Sequence, residues 1–251
     1  MKLGIAGYGY VGKAHELIFE PYHDIIISDP AKGHYGDLRH ADAIIICVST
    51  PGSTNGHCDV TNVGDVLDDG PNVPYLIKST MSIEGWKLIT DCCKNKNICY
   101  SPEFLRAAHW KTDFRSQDQM YVGGSDTNFW AELFIDAIGP ISVTPFDPKE
   151  LIAAKQLRNS FLALKVTYFN QVKDFCDAQG IDFESVRKVI TDDKRINASH
   201  SLVSRNARGY GGHCFPKDVT ATIRSAQVAG GRITILEEAD NYNQQVRKEP
   251  T

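Results

Sequence analysis

The sequence predicts an α/β fold: a Rossmann-type parallel sheet, then a long central helix and a small all-helical domain. Three observations point there. The first half alternates short apolar runs with longer amphipathic stretches, the rhythm of parallel α/β units. A glycine-rich turn, Gly7-Tyr8-Gly9-Tyr10-Val11-Gly12, follows the first apolar run and opens a helix-like stretch. From Lys149 to Gln179 there is neither Gly nor Pro, and Leu151, Leu162, Val166, Phe169 and Val172 recur at helical spacing. The 251 residues accommodate one or two domains. The change of rhythm after Pro148 divides them into a cofactor-binding domain, 1–147, and a helical dimerisation and substrate domain, 148–251.

The strands expected in order are Lys2–Ala6, Asp24–Ser28, Ala43–Val48, Tyr75–Lys78, Ile98–Tyr100, Met120–Val122 and Ile141–Val143. Several are unbroken Ile/Val runs without alternation, as strands buried on both faces require. Such a sheet takes ligands outside the carboxyl ends of its strands. Thr50-Pro51, Ser79-Thr80 and Ser101-Pro102-Glu103 follow strands and fall at that edge. The long helix would extend about 45 Å at 1.5 Å per residue, with Gly180 as its stop. An element of that length bridges domains or lines a subunit interface. Phe183–Ile190 reads as further helix, and a polar loop, a glycine-rich segment from Gly209 to Asp218 and a final helical stretch follow. The last four residues read as a frayed tail.

Composition narrows the class. With 42% hydrophobic and 23% charged residues the chain is an ordinary globular protein, and its net charge of −4 offers no broad attraction to nucleic acid or an anionic membrane. No apolar run approaches the length of a membrane span. Met1 and Lys2 lead straight into a strand, so no secretory leader is expected. The 7 Cys are odd in number and unevenly spaced, and they form neither a disulfide framework nor a metal-ligand pair. A reducing, cytoplasmic setting follows. Cys47, Cys92, Cys93, Cys99 and Cys176 read as inert buried thiols, and Cys58, in a polar loop, as an exposed one.

Each glycine of the first turn has a task. Gly7 allows the tight turn, Gly9 lets backbone approach a pyrophosphate, and Gly12 permits close helix packing. Tyr10 and Val11 complete the turn, and the new helix offers free N–H groups to phosphates. Asp29 ends the second strand, where a carboxylate accepts hydrogen bonds from ribose hydroxyls and repels a 2′-phosphate. The pattern indicates NAD rather than NADP, with Lys32 close by in sequence as a countervailing charge. A turn and a loop cap with no ligand is the plain alternative.

The most specific segment is Gly209-Tyr210-Gly211-Gly212-His213-Cys214-Phe215-Pro216-Lys217-Asp218. Pro216 suits the first turn of a helix, which places Cys214 near a positive helix end, and Lys217 adds a cation. Both favour the thiolate that a nucleophilic cysteine requires.

At this point the chain resembles the UDP-glucose 6-dehydrogenase family, NAD-dependent enzymes that take four electrons from a nucleotide sugar. The resemblance rests on Gly7 to Gly12, Thr50-Pro51, Lys78-Ser79-Thr80, Ser101-Pro102-Glu103-Phe104-Leu105-Arg106, Lys155 with Asn159, Leu162-Ala163-Leu164-Lys165 and the Cys214 segment. It implies oxidation of UDP-glucose to UDP-glucuronate through a thiohemiacetal and a thioester on Cys214. By the same resemblance, Lys155 and Asn159 stabilise negative charge on the substrate's C6 oxygen. Their i, i+4 spacing sets both on one helix face. Asp218 handles protons, Glu103 serves thioester hydrolysis, and Thr80 helps hold the water. Thr50, Pro51 and Lys217 would join the cofactor set. Phe104, Leu105, Arg106, Tyr210 and Gly211 would join the substrate set, with no metal. A homodimer through the central helix is implied, with a basic residue near Arg195 reaching the neighbouring site. The product's use in a surface polysaccharide is implied as well.

Two departures from the family stand out. Ala107 replaces the acidic residue that usually follows Arg106. The sequence also ends just after the helix that would lead into the family's second, UDP-binding Rossmann-like domain. Oxidation of another nucleotide sugar, such as GDP-mannose or UDP-N-acetylmannosamine, and a non-catalytic NAD-binding remnant that partners a full-length enzyme are the alternatives.

Overall fold

A computed structural model describes residues 1–53, 56–93, 96–106, 108–204, 206, 208–212 and 214–248. Ala107 and most of the expected tail therefore lie outside the described residues. The chain divides into two compact units, Met1–Lys155 and Gln156–Thr251.

The first unit is an α/β sandwich. Its strands are β1 (Lys2–Ala6), β2 (Asp24–Asp29), β3 (His34–Tyr35), β4 (Ala43–Ile46), β5 (Pro74–Ile77), β6 (Asn97–Tyr100), β7 (Gln119–Gly124) and β8 (Ser142–Pro145). They form one sheet in the order β3-β2-β1-β4-β5-β6-β7-β8. Helices α1 (Tyr10–Phe19), α2 (Thr61–Asp69), α3 (Ile83–Cys92), α4 (Trp110–Arg115) and α5 (Thr127–Ile138) connect them. The unbroken apolar runs have their explanation in β4, where all four residues are buried. Ile44 and Ile46 join Val63, Leu67, Trp86 and Ile89 of α2 and α3. Ala43 and Ile45 join Ala14, Phe19, Trp130 and Phe134 of α1 and α5 on the opposite face. With both faces covered, neither set of alternating side chains can be polar.

The expectation of a parallel sheet holds from β2 to β6 and fails at both edges. β3, absent from the sequence expectation, is a two-residue antiparallel strand on β2. β7 pairs antiparallel with β6, and β8 runs parallel to β7. The link from β6 to β7 carries only the six-residue α4. A helix that short rises only about 9 Å, too little to return the chain along the sheet for a parallel crossover.

The second unit is all helical. Helix α6 (Pro148–Gln179) contributes its first turns to the first unit and the rest to this one, and Gly180 ends it at φ +66°. Here α7 (Phe183–Asp192), α8 (Phe215–Val228) and α9 (Thr234–Val246) complete the unit. Ala163 of α6 meets Val219 of α8 and Leu236 of α9, while Phe169 and Cys176 pack with Phe183 of α7. No helix among the described residues is long and apolar enough to cross a membrane.

One buried side chain of the first unit predicts a pH response. His15 is boxed by Phe19, Phe114 and Phe134. Its Nδ1 lies 2.8 Å from the Val11 carbonyl, while Nε2 is buried without a hydrogen-bond partner among the described residues. Burial, and then the nearby Lys78 ammonium, lowers its pKa to about 4. The unfolded chain binds this proton near pH 6.5 and the folded chain only near 4. Stability should therefore rise as pH climbs through that window, by on the order of 2–4 kcal/mol. Denaturant midpoints measured across pH 4–7 should show this slope in the parent and a flatter one in His15→Leu.

Candidate active site

The sheet reverses its strand order at β1, which has β2 on one side and β4 on the other. Open parallel sheets bind ligands at such a switch point. Gly7 sits at the carboxyl end of β1 with φ +90°, and a Cβ there would lie 2.7 Å from Cys47 C, Cys47 O and Val48 N. Only glycine lets the chain turn against the end of β4. Gly12 is equally constrained, since its Cβ would meet the Gly7 carbonyl at 2.2 Å. Gly9 is the N-cap of α1 and differs from both: an added Cβ would come no nearer to another group than 4.0 Å, at Lys32 Nζ.

Asp29 closes β2. One of its oxygens accepts from the Tyr8 amide at 2.7 Å and pairs with Lys32 at 3.0 Å. Burial opposes its ionisation, but the Tyr8 amide and the Lys32 ammonium outweigh that and keep its pKa below the ordinary carboxylate value. Thr50 is buried, and its hydroxyl donates to the main-chain oxygen of Thr80; Pro51 beside it is exposed.

A second cluster forms beyond β5 and β6. Glu103 Oε1 accepts from the Phe104 and Leu105 amides at 2.8 and 3.2 Å, and Oε2 lies 3.3 Å from Lys78 Nζ. Burial pushes the Glu103 carboxyl up, yet Lys78, then His15 and the Phe104 amide, bring it below its ordinary value. Lys155 donates to the Glu103 carbonyl at 2.5 Å, with its ammonium 5.2 Å from the Phe104 ring centroid. Arg106 is exposed and grips Asp113 through its side chain at 2.6 and 2.9 Å and through its amide. Leu105 packs into the core beneath.

In the second unit Cys214 is the N-cap of α8, with Pro216 in the first turn, and its side chain is exposed. Asn159 of α6 donates to Asp218 Oδ2 at 2.6 Å, and Lys217 pairs with Oδ1 at 3.0 Å. Asp218 is only 1% exposed, so these partners are what keep the carboxylate in the interior. The expected residues Asn159, Lys217 and Asp218 thus come together one turn after Cys214.

Tyr210 is placed differently from the expected substrate contact. It is 2% exposed and lies in the core, and its hydroxyl donates to Asp240 at 2.6 Å. Its amide and carbonyl are both held by the Asn243 side chain, at 2.7 and 3.2 Å. Ring burial and the hydroxyl bond give it a packing role. Gly211 lies against the Arg247 guanidinium, which a Cβ would approach to 2.6 Å. Arg195 is exposed and paired with Asp193 at 2.6 Å. Three thiols also depart from expectation. Cys47, expected to be buried, is half-buried. Cys58 is 4% exposed, tied into a bridge with Gly52, and Cys92 is exposed at the end of α3.

Sequence reasoning gave no role to Lys78, Asn243, Asn170 or Arg208. Lys78 had a usable signal, a lysine closing an apolar strand. The others had none. Asn170 Oδ1 accepts from Arg208 Nε at 2.8 Å and from the Gly209 amide at 3.0 Å, partners 38 and 39 residues away. With Asn243 they tie the 208–210 strap to α6 and α9.

The switch-point turn, the helix it launches and the acid at the end of β2 define a dinucleotide-binding α/β protein of the dehydrogenase class. Comparison with known proteins narrows this. Residues 32–134 match the NAD binding domain of the UDP-glucose/GDP-mannose dehydrogenase family, and residues 150–245 match that family's central domain. The chain is 30% identical over 226 residues to a UDP-glucose 6-dehydrogenase of Pseudomonas aeruginosa, covering 82% of this chain and 49% of that one. It is 31% identical over 239 residues to one of Rhizobium meliloti, covering 84% and 53%. The solved structure of a UDP-glucose dehydrogenase from Pyrobaculum islandicum superposes with a TM-score of 0.82 at 22% identity, covering 97% of this chain and 68% of that one, a likeness of fold. The chain belongs to the UDP-glucose/GDP-mannose dehydrogenase family and carries its NAD-binding domain. It spans about half the length of the curated relatives it matches.

The Asn243 clamp yields a stability prediction. Asn243→Ala removes two hydrogen bonds and leaves the buried Tyr210 amide and carbonyl without them. The second unit should lose about 1–3 kcal/mol, measurable as a lowered urea midpoint. An unchanged midpoint would show that water or a rearranged strap replaces the clamp.

Proposed function

We propose that the chain oxidises UDP-glucose to UDP-glucuronate with NAD, in two oxidations joined by a thioester on Cys214. The observation that carries this reading is an exposed sulfur at the N-cap of α8, one turn before the buried Asp218–Asn159–Lys217 group. The family and the names of its curated relatives point the same way.

The first unit suits NAD on its own geometry. Nothing in the protein's packing crowds position 9, whereas a phosphate lying against that backbone would demand glycine there. Gly7, Gly9, Tyr10, Val11 and Gly12 would cradle the pyrophosphate, Asp29 the ribose hydroxyls, and Thr50, Pro51 and Lys217 would complete the set. Lys32 is occupied by Asp29 itself, which leaves the carboxylate to repel a 2′-phosphate. Bound NAD supplies the hydride acceptor, two equivalents for each sugar.

The chain's own residues supply the rest. Phe104, Leu105, Arg106 and Gly211 hold the substrate, largely by main chain. Lys155 and Asn159 donate to the C6 oxygen as it becomes anionic, and Asp218 takes up the displaced proton. The Cys214 thiolate adds to the C6 aldehyde, forming a C–S bond and a thiohemiacetal whose oxidation leaves a thioester. Water held by Thr80 and deprotonated by Glu103 adds to that carbonyl, and the C–S bond breaks to return the thiolate. One sugar and one water thus yield one carboxylate, with four electrons leaving in two pairs.

A homodimer through α6 belongs to the same reading. Leu157, Phe161, Tyr168 and Phe175 are all exposed and recur on one face of the helix, with Phe161 at 64%. Phe169, one of the helically spaced apolar positions, is buried within its own unit. A reducing, cytoplasmic setting belongs to the same reading, with no disulfide among the described residues.

With UDP-glucose and NAD, the purified chain should produce two NADH per sugar, followed by absorbance. Cys214→Ala should form no acid, and undiminished UDP-glucuronate from it would refute the nucleophile. Faster turnover of GDP-mannose or UDP-N-acetylmannosamine would reassign the substrate. NAD binding without turnover of any nucleotide sugar would favour the non-catalytic alternative. By light scattering, Phe161→Glu should convert a dimer to a monomer; an unchanged mass would place the interface elsewhere.

A further inference from the structure

Lys78 follows β5, and its surroundings follow from strand alternation. Leu76 joins the core on the α1 and α5 side and Ile77 the core on the α2 and α3 side. Lys78 therefore returns to the first of these, and its ammonium lies 5.9 Å from the Phe134 ring centroid. Its side chain is 2% exposed. An ammonium in that position costs several kcal/mol unless it is paired. Two groups offset the cost: Glu103 Oε2 at 3.3 Å and the Ser101 hydroxyl at 3.1 Å.

Glu103 is held at three of its oxygens. Oε1 accepts from the two amides that follow it in the chain, Oε2 forms an ion pair with the Lys78 ammonium at 3.3 Å, and the main-chain oxygen accepts from Lys155. The charged and titratable groups facing it within this unit are Lys78 after β5, His15 of α1 and the Cys47 thiol after β4, which burial keeps protonated, with Lys155 of α6 on its carbonyl. His15 is neutral near pH 7. Lys78 is thus the full positive charge directed at the carboxylate.

We propose that Lys78 is a positioning residue for thioester hydrolysis, pinning the Glu103 side chain in its turn as the anion that must accept a proton from water. The inference rests on the hydrolytic role given to Glu103 above. Without Lys78, burial is opposed by less. The carboxyl would then hold its own proton to a higher pH, and a protonated carboxyl cannot deprotonate water. The first oxidation does not call on Glu103, so the two halves of the reaction should separate.

The test uses the full chain with Lys78→Met, Lys78→Gln, Lys78→Arg and Glu103→Gln. Carbon-13 NMR of the glutamate carboxyls, with Glu103 assigned by its loss in Glu103→Gln, reads the ionisation directly and needs no activity. The Glu103 signal should titrate at least about one pH unit higher in Lys78→Met than in the parent, and Lys78→Arg should restore it. With UDP-glucose, Lys78→Met should move the acidic limb of UDP-glucuronate release upward by the same amount. It should also accumulate the Cys214 thioester, detected by mass, while the first NADH forms within about twofold of the parent rate. Lys78→Gln, which keeps a donor for Ser101, gives the same reading if Lys78→Met does not fold. A Glu103 titration unmoved by loss of the ammonium would overturn the proposal. So would a first oxidation slowed as much as release, or a further loss when Lys78→Met is added to Glu103→Gln. If the parent turns over no UDP-glucose, the functional reading fails on its own, and the NMR titration still decides whether Lys78 holds Glu103 ionised.

Discussion

The contact of main chain with main chain at the end of β1 and β4 organises the first unit. Side chains there would keep the two segments apart, and the bare Gly7 lets Cys47 and Val48 come within van der Waals range. The close turn sends α1 off at the one place where neighbouring connections leave in opposite directions. Gly12 then draws the helix back against the turn. Two absent methyl groups thus set both the direction of a helix and the mouth of a ligand crevice. Neither choice adds packing energy, and each gives up backbone entropy in the unfolded chain. That is the pattern of residues retained for geometry.

The two units handle buried polarity alike. The first places Lys78 and Glu103 in an otherwise aromatic and aliphatic interior. The second places Asp218 between α6 and α8, with Asn159 and Lys217 on its oxygens and the Ser160–Thr222 hydroxyl pair 3.1 Å apart beside it. Well-packed hydrocarbon would serve stability as well or better than ionic groups in either location. Their arrangement near strand ends and a helix start is where chemistry uses charge.

Much of this was legible in the sequence, and the illegible parts share a cause. Unbroken Ile runs announce strands covered on both faces, and the stretch from Lys149 to Gln179 without Gly or Pro announces α6. A cysteine two residues before a proline announces a helix start. These are signals carried by neighbours in the chain. The reversed direction of β7 depended on how far α4 could carry the backbone. Tyr210 entered the substrate set through the family resemblance, while the Asn243 and Asp240 that hold it inside are some thirty residues away. Cys58 looked exposed in a polar stretch, yet it pairs with Gly52 in a bridge and is 4% exposed. The Lys78–Glu103 pair spans 25 positions and two strands, beyond the reach of any short pattern.

Sulfur accessibility carries a practical corollary for anyone attaching probes to this protein. Among the described residues, Cys92 at the tip of α3 is exposed like Cys214, whereas Cys47 is half-buried and Cys58, Cys93, Cys99 and Cys176 are enclosed. A maleimide dye added to the folded chain would decorate an address in each unit, and its fluorescence would blend them. Assigning such a signal to the start of α8 calls for a background in which position 92 has first been made serine.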